Sequence, residues 1–306
     1  MDTSSPVSSP SQTPLRVVLD TDTYNEVDDQ FALAHLLLSP ERVTLEAVYA
    51  APFFNERSQS PGHGMELSYE EIGRILALVD TPRPPEVFRG STEFLAGADR
   101  PQPSAAADDL VRRALATPEG ETLHVVAIAA ATNVASALLL EPRIAGRIRV
   151  VWLGGHAPYW PHTDEFNLKQ DLHAARELFD TDVPLVLVPC LPVASHVTTT
   201  VAELEAHLAP RSPLGEFLTG RVRNYAGNKV GWSKHIWDIA ASAWVINPKW
   251  GWMRPEPSPV LTDDKRWASP TPPGRRTIDV VQELYRDQIF ADFFAKASNA
   301  RLAAKA

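Results

Sequence analysis

The chain has 306 residues, of which 44% are hydrophobic, and carries a formal net charge of -9 with a pI near 5.5. That acidic balance disfavours a nucleic-acid backbone as partner, which needs a clustered positive surface, and no run approaches the length of uninterrupted apolar residues that a helical membrane span requires. Cys190 is the only cysteine, so no intramolecular disulfide forms, and the first residues lack the basic and apolar stretches of a secretory signal, which makes a cytoplasmic location the expectation.

Residues 1–14 (MDTSSPVSSPSQTP) offer almost nothing to bury and are expected to form a disordered tail. From Leu15 onward, short β-branched runs alternate with longer helical patterns. LRVVLD (15–20) reads as a strand, DDQFALAHLLLSP (28–40) as a helix, VTLEAVYA (43–50) as a strand and SYEEIGRILALVD (68–80) as a helix. HVVAIAA (124–130), RIRVVWLGG (147–155) and PLVLVP (184–189) read as further strands, and a helical insertion or cap is expected near 203–227. The alternation predicts an α/β fold with a mostly parallel central sheet and helices on both faces. No composition break marks a linker, so residues 15–306 are read as a single domain.

The stretch VVLDTDTYNEVDDQFALAHLLL (17–38) holds Asp20, Asp22, Glu26, Asp28 and Asp29 directly behind the first strand, where open α/β sheets collect ligands. Such a cluster repels itself unless a hard divalent cation draws the carboxylates together at about 2.3–2.6 Å. An EF-hand loop is ruled out because Asn25 and Phe31 stand where glycine and glutamate are needed. LDTDTY partly resembles the nucleophile motif of haloacid-dehalogenase phosphatases, which makes Asp20 a nucleophile with magnesium; Tyr24 departs from it. A third reading takes Asp22, Asp28 and Asp29 as ligands of one divalent cation. The bland alternative is a solvated acidic helix start that complements the helix dipole.

Four separated segments, in order, resemble the inosine-uridine nucleoside hydrolase family. DTDTYNEVDDQFAL is similar to its DxDPGxDDAxAL, with the paired aspartates two residues further along and no Pro-Gly. TNVASALLLEP (132–142) is similar to its LTNxA helix start. LGGHAPYWPHTDEFNLKQDLHAA (153–175) resembles GG…AEFNxxxDPEAA, and WDIAASAWVINP (237–248) resembles HDPxAxAxxxxP with Trp237 in the histidine's place. The resemblance implies calcium-dependent hydrolysis of the N-glycosidic bond of a ribonucleoside or related N-riboside. It implies that Asp22, Asp29 and Asp238, with the main-chain carbonyl of Ile128, hold the calcium, and that Asp28 is the general base toward water. It further implies that Glu165 and Asn167 hold the ribose hydroxyls, and that the protein forms a homodimer or homotetramer.

Asn55 is a further candidate for a ribose contact, and His235 for protonating the leaving group; Trp160, Trp232 and Trp237 are candidates for stacking on a flat ring. The departures gather on the side facing the base: Trp237 for histidine, Tyr159 for an asparagine, and the segment 51–74 with Arg57, His63, Glu66 and Tyr69. Asp20 is expected to anchor the loop at the strand end, and Asn25 and Glu26, which lengthen that loop, to edge the pocket. Asp238 also suits an ordinary helix N-cap. A non-catalytic ribose- or nucleoside-binding protein that keeps the metal site is the alternative from another class.

Overall fold

The computed structural model describes residues 13–303; residues 1–12 of the expected tail lie outside them. Ten strands are found among the described residues: β1 (Leu15–Thr21), β2 (Val43–Ala50), β3 (Glu86–Arg89), β4 (Leu123–Ala127), β5 (Ile148–Leu153), β6 (Leu185–Val188), β7 (Thr198–Thr199), β8 (Lys234–His235), β9 (Gly251–Pro257) and β10 (Thr277–Leu284). The α-helices are α1 (Asp29–Leu37), α2 (Pro61–Leu76), α3 (Ala105–Leu115), α4 (Thr132–Leu140), α5 (Phe166–Gln170), α6 (Leu172–Asp180), α7 (Val201–His207), α8 (Pro213–Ala226), α9 (Ile239–Ile246) and α10 (Arg286–Ala297).

Eight strands form one sheet in the order β3-β2-β1-β4-β5-β6-β10-β9, parallel throughout except that β9 runs antiparallel to β10; β7 and β8 form a separate antiparallel pair. The expected α/β class and the helices on both faces are thereby found. Successive strand residues point to opposite faces. Val17, Leu19, Val126 and Val151 pack under α1, α2, α8, α9 and α10 through Phe31, Ile72, Leu218, Ile239 and Phe290. Val18, Val125, Val150 and Trp152 pack under α3, α4 and α6 through Leu110, Val134 and Leu178. Burial on both faces is why these strands read as continuous apolar runs.

Helices α1 and α9 are buried around their whole circumference, as expected of helices with no polar face. Helix α2 begins at Pro61, seven residues before the expected start. The Ser60 hydroxyl accepts from His63 N at 3.1 Å and proline takes the first helical position, a combination that starts a helix wherever it falls. The expected insertion near 203–227 is α7 and α8. Strands β3, β7, β8, β9 and β10 and helices α3 and α10 have no counterpart among the expected elements. In β9, Pro255 and Pro257 obscure a strand that tolerates them because it lies at the sheet edge. No helix among the described residues is long and apolar enough to cross a membrane.

The chain runs from β1 outward to β2 and β3, then returns to β4 beside β1 and continues the other way. The strand order therefore reverses between β1 and β4, and the crevice at their carboxyl ends is where such sheets bind ligands.

Candidate functional site

Asp22 follows β1, Ile128 follows β4, Asp28 and Asp29 open α1, and Asp238 opens α9, so the switch point brings together residues more than 200 positions apart. Asp28, Asp29 and Asp238 each offer a carboxylate oxygen, and these oxygens lie within 4.8 Å of one another. All four aspartates are buried. Neither oxygen of Asp22 has a hydrogen-bond partner among the described residues.

Asp28 and Asp238 occupy N-cap positions, yet neither side chain caps its helix. Ser60, Ser104, Thr200 and Ser212 all do so in theirs. The plain helix-cap account of Asp238 therefore fails: its carboxylate is turned toward the other acids instead of the backbone N–H groups.

The electrostatics show the strain of this crowding. Burial, and then the neighbouring Asp29, push Asp22 well above the usual carboxylate range, and Asp238 is raised in the same way. Burial raises Asp28 to about 7 although Lys234 opposes it. Asp29 reaches about 6, held lower by the Thr21 hydroxyl, which donates to its Oδ1 at 2.6 Å. Burying several like charges is costly unless a counter-charge joins them. An all-oxygen donor set with one wholly unpartnered carboxylate fits a hard divalent cation.

Asp20 stands apart from this group. It lies within the sheet opposite Tyr49 and Ala127, and its Oδ1 accepts from Asn133 Nδ2 at 2.8 Å. It is fully buried and does not line the cavity, so it is no nucleophile for a phosphate ester. Asn133 also accepts from Ser91 N at 2.8 Å, and Asp171 accepts from Leu95 N and Ala174 N, each at 2.9 Å. These members of the motifs hold the scaffold together.

A cavity of about 720 Å³ opens over the cluster, lined by Asp22, Asp28, Asp238 and Ile128 together with Glu165, Asn167, Asn55 and Trp237. Asp29 lies behind this lining. Glu165 is the N-cap of α5: its oxygens accept from Gly155 N at 2.8 Å and from Asn167 N and Leu168 N at 3.0 Å. Asn167 donates from Nδ2 to Leu153 O at 2.9 Å. Gly155 is required in this turn, since its φ is +65° and a Cβ would sit 2.7 Å from the Thr163 hydroxyl.

Asn25 and Glu26 line the cavity, as the lengthened loop suggests. Asn55 Nδ2 donates to Asn25 Oδ1 at 2.7 Å. Arg57 Nη1 donates to the carbonyls of Asn25 at 3.2 Å and Glu26 at 3.1 Å, with its guanidinium 4.8 Å from the centre of the Tyr24 ring. Among the other candidates, His235 is outside the lining and stacks on Trp237 with ring centres 4.5 Å apart. Trp160, Trp232, His63, Glu66 and Tyr69 are outside it too, and Tyr159 is exposed.

Sequence reasoning missed several lining residues. Arg221, Asn224 and Tyr225 come from α8, and their spacing of three and four residues marks one helix face, a signal present in the sequence. His156 also lines the cavity; burial, and then His162, push it down to about 4, and its Nδ1 accepts from Leu191 N at 3.3 Å. The ring is therefore neutral with its hydrogen on Nε2. Lys234, buried behind the lining, contacts both Glu26 and Asp28; nothing in its local sequence marks it.

Together these features define an α/β protein with a carboxylate-rich site for a hard cation at the switch point of a mostly parallel sheet. The family model described as inosine-uridine preferring nucleoside hydrolase matches residues 17–305, and the chain belongs to that family: it is a hydrolase that acts on the N-glycosyl bonds of ribonucleosides. The pyrimidine-specific ribonucleoside hydrolase RihA of Klebsiella pneumoniae is 25% identical to it, over 86% of each chain, and so is that of Salmonella agona. Among solved structures, the inosine-uridine preferring nucleoside hydrolase from Bacillus anthracis has a TM-score of 0.68 at 20% identity, covering 93% of this chain and 99% of its own. The purine-preferring ribonucleoside hydrolase from Gardnerella vaginalis has a TM-score of 0.69 at 20% identity, covering 92% and 98%. These structural likenesses bear on the fold.

Proposed function

We propose that this chain hydrolyses its ribonucleoside with calcium held by Asp22, Asp29, Asp238 and the carbonyl of Ile128, and with Asp28 as general base. The observation that carries this reading is the buried Asp22 carboxylate, both of whose oxygens lack a hydrogen-bond partner among the described residues, beside the convergent Asp28, Asp29 and Asp238. When bound, calcium supplies a template for vicinal hydroxyls and lowers the pKa of water.

The remaining chemistry belongs to the side chains. Asp28 accepts the proton of the attacking water, its Oδ2 steadied by the Trp237 N–H at 3.1 Å. Positive charge develops on the ribosyl ring as the glycosidic bond breaks, and the crowded carboxylates stabilise it. Glu165 and Asn167 hold the ribose hydroxyls from a loop that three backbone N–H groups keep rigid, and Asn55 edges the same cavity.

On the aglycone side the lining groups are Trp237 and Tyr225 in place of His235. Partial desolvation and the adjacent Glu26 carboxylate push the Tyr225 phenol up to about 12, so it keeps its proton at neutral pH and remains a donor. Relatives carry both pyrimidine-specific and purine-preferring names, so the proposal extends to ribonucleosides as a class. A single domain over 15–306, a homodimeric or homotetrameric assembly and a cytoplasmic location complete it.

The test is release of free ribose from a panel of purine and pyrimidine ribonucleosides, with added calcium and with chelator. Calcium-dependent release from at least one of them, lost in Asp28→Asn, supports the reading. Tight nucleoside binding with no ribose from any of them would instead identify a non-catalytic binding protein.

A further inference from the structure

Lys234 lies in β8 and is only 3% exposed. Its Nζ donates to the His235 carbonyl at 2.6 Å and sits 3.1 Å from Glu26 Oε1 and 3.5 Å from Asp28 Oδ1. The ammonium is thus hydrogen-bonded to the His235 carbonyl and paired with two carboxylates. Lys234 is not among the residues that line the cavity, whereas Glu26 and Asp28 are. Whatever it does for a substrate, it does through those two carboxylates.

The charge balance shows why a cation belongs there. The buried carboxylates of Asp22, Asp28, Asp29 and Asp238 and the half-buried one of Glu26 lie about one cavity, and a divalent ion offsets only two of their charges. Glu26 comes from the lengthened loop and is not among the carboxylates of Asp28, Asp29 and Asp238 that converge within 4.8 Å. Without a counter-charge between them, Glu26 and Asp28 would repel, and the Trp237 N–H would be left to hold Asp28 against that repulsion. Asp28 receives no help from its helix, because it does not cap α1. Its Oδ2 accepts the Trp237 N–H at 3.1 Å, and its Oδ1 faces Lys234.

We propose that Lys234 is a positioning residue for the hydrolytic reaction: it ties the Glu26 carboxylate of the lengthened loop to that of Asp28, so that with the Trp237 N–H both oxygens of Asp28 are held in one orientation. The proposal rests on Asp28 being the general base. A base that is held rather than bound to substrate affects the rate of the chemical step and leaves substrate affinity nearly alone, because the ribose contacts lie on the loop of Glu165 and Asn167.

Wild-type protein and Asp28→Asn are compared first for ribose release; absence of wild-type turnover overturns the hydrolase reading and this inference with it. Given wild-type turnover, Lys234→Met is expected to lower kcat about 100-fold with KM nearly unchanged, as loss of a general base's alignment does. Lys234→Arg keeps the charge but displaces its partners, and loses about 10-fold. Glu26→Gln combined with Lys234→Met recovers about 10-fold over Lys234→Met alone, because the charge that needed tying is gone. Thermal unfolding confirms that each variant is folded. A folded Lys234→Met with wild-type kcat overturns the proposal, and so does a double variant slower than the single one. If Lys234→Met does not fold, Lys234→Arg decides: a kcat equal to wild type overturns the proposal, and a lower kcat at unchanged KM upholds it.

Discussion

The backbone N–H of Trp237 donates to Oδ2 of Asp28 at 3.1 Å, linking residues 209 positions apart. Only the backbone is used, so the exchange of histidine for tryptophan at this position leaves the hold on Asp28 intact. The indole meanwhile stacks on His235 and helps line the cavity. Asp28 and the ring-lined side of the cavity are thus coupled through one residue but vary separately, because one contact belongs to its main chain and the other to its ring.

Asp28→Asn preserves the shape of the side chain and removes its ability to take a proton. The expected loss in kcat is about 10²–10⁴-fold. The metal-free variant should unfold no lower than wild type, since one charge leaves a buried cluster whose members repel. Ribose release and thermal unfolding in chelator measure the two effects; a variant that is both active and less stable contradicts the assigned role.

Calcium should stabilise the folded chain, because the site is assembled only when β1, α1 and α9 are in place. At calcium 100-fold above its dissociation constant the gain is about 2.7 kcal/mol. Asp22→Asn and Asp238→Asn should abolish most of that gain while unfolding at or above the wild-type temperature in chelator. Melting curves across a calcium titration check this, and an undiminished calcium shift in both variants refutes the ligand assignment.

Among the described residues Asn133 is the one hydrogen-bond donor to Asp20, whose other oxygen has no partner there, and Asn133→Ala removes it. Burial already raises Asp20 to about 7 against the opposing effect of Asn133. The variant also frees the Ser91 N–H that Asn133 accepts. A stability loss of about 1–3 kcal/mol follows, measured by denaturant unfolding.

His35 on α1 is fully buried and bonds through Nε2 to Asp292 Oδ2 at 2.9 Å. Burial lowers the His35 pKa, with Asp292 opposing. Burial works against ionised Asp292 as well, but His35 and Lys296 outweigh it and hold its pKa below the usual carboxylate range. Both folded values lie below the unfolded ones, so the unfolded chain binds protons first. The contribution of His35 is complete above about pH 6.5 and is lost as the pH falls through that value toward the lower folded pKa; that of Asp292 is lost at more acidic pH. In calcium-free denaturant titrations, His35→Gln should lessen the fall in stability between about pH 7 and pH 5 relative to wild type. An identical slope in both proteins contradicts the expectation.

Arg57 holds the carbonyls of Asn25 and Glu26 with a single guanidinium nitrogen. Arg57→Ala should loosen this edge of the cavity and raise KM about 10-fold with a smaller change in kcat. Kinetics on one ribonucleoside separate the two, and an unchanged KM argues that the loop needs no such support.

Much of the scaffold was legible in the sequence because its signals are local. The alternation of apolar runs and helical periods located β1, α1, β2, β4, β5 and β6, and the bounds of β2 were foreseen at both ends. The family pattern led to Asp22, Asp28, Asp238, Glu165 and Asn167 in one cavity with Ile128, and Asp20 was expected at the strand end, where it bonds Asn133. The lengthened loop was legible too, as a departure in spacing that carries Asn25 and Glu26 to the cavity edge.

Tertiary structure alone decided which distant residues meet. Lys234 and the α8 face of Arg221 and Tyr225 are brought to the site by the packing of distant elements, which no local period encodes, and His235 is set outside the lining by the direction in which the short β8 strand presents it. Caps, periods and turns depend on neighbours a few positions away, so a sequence states them directly. A buried lysine between two carboxylates depends on desolvation and charge brought together from positions 26, 28 and 234, and that environment exists only once the sheet has assembled.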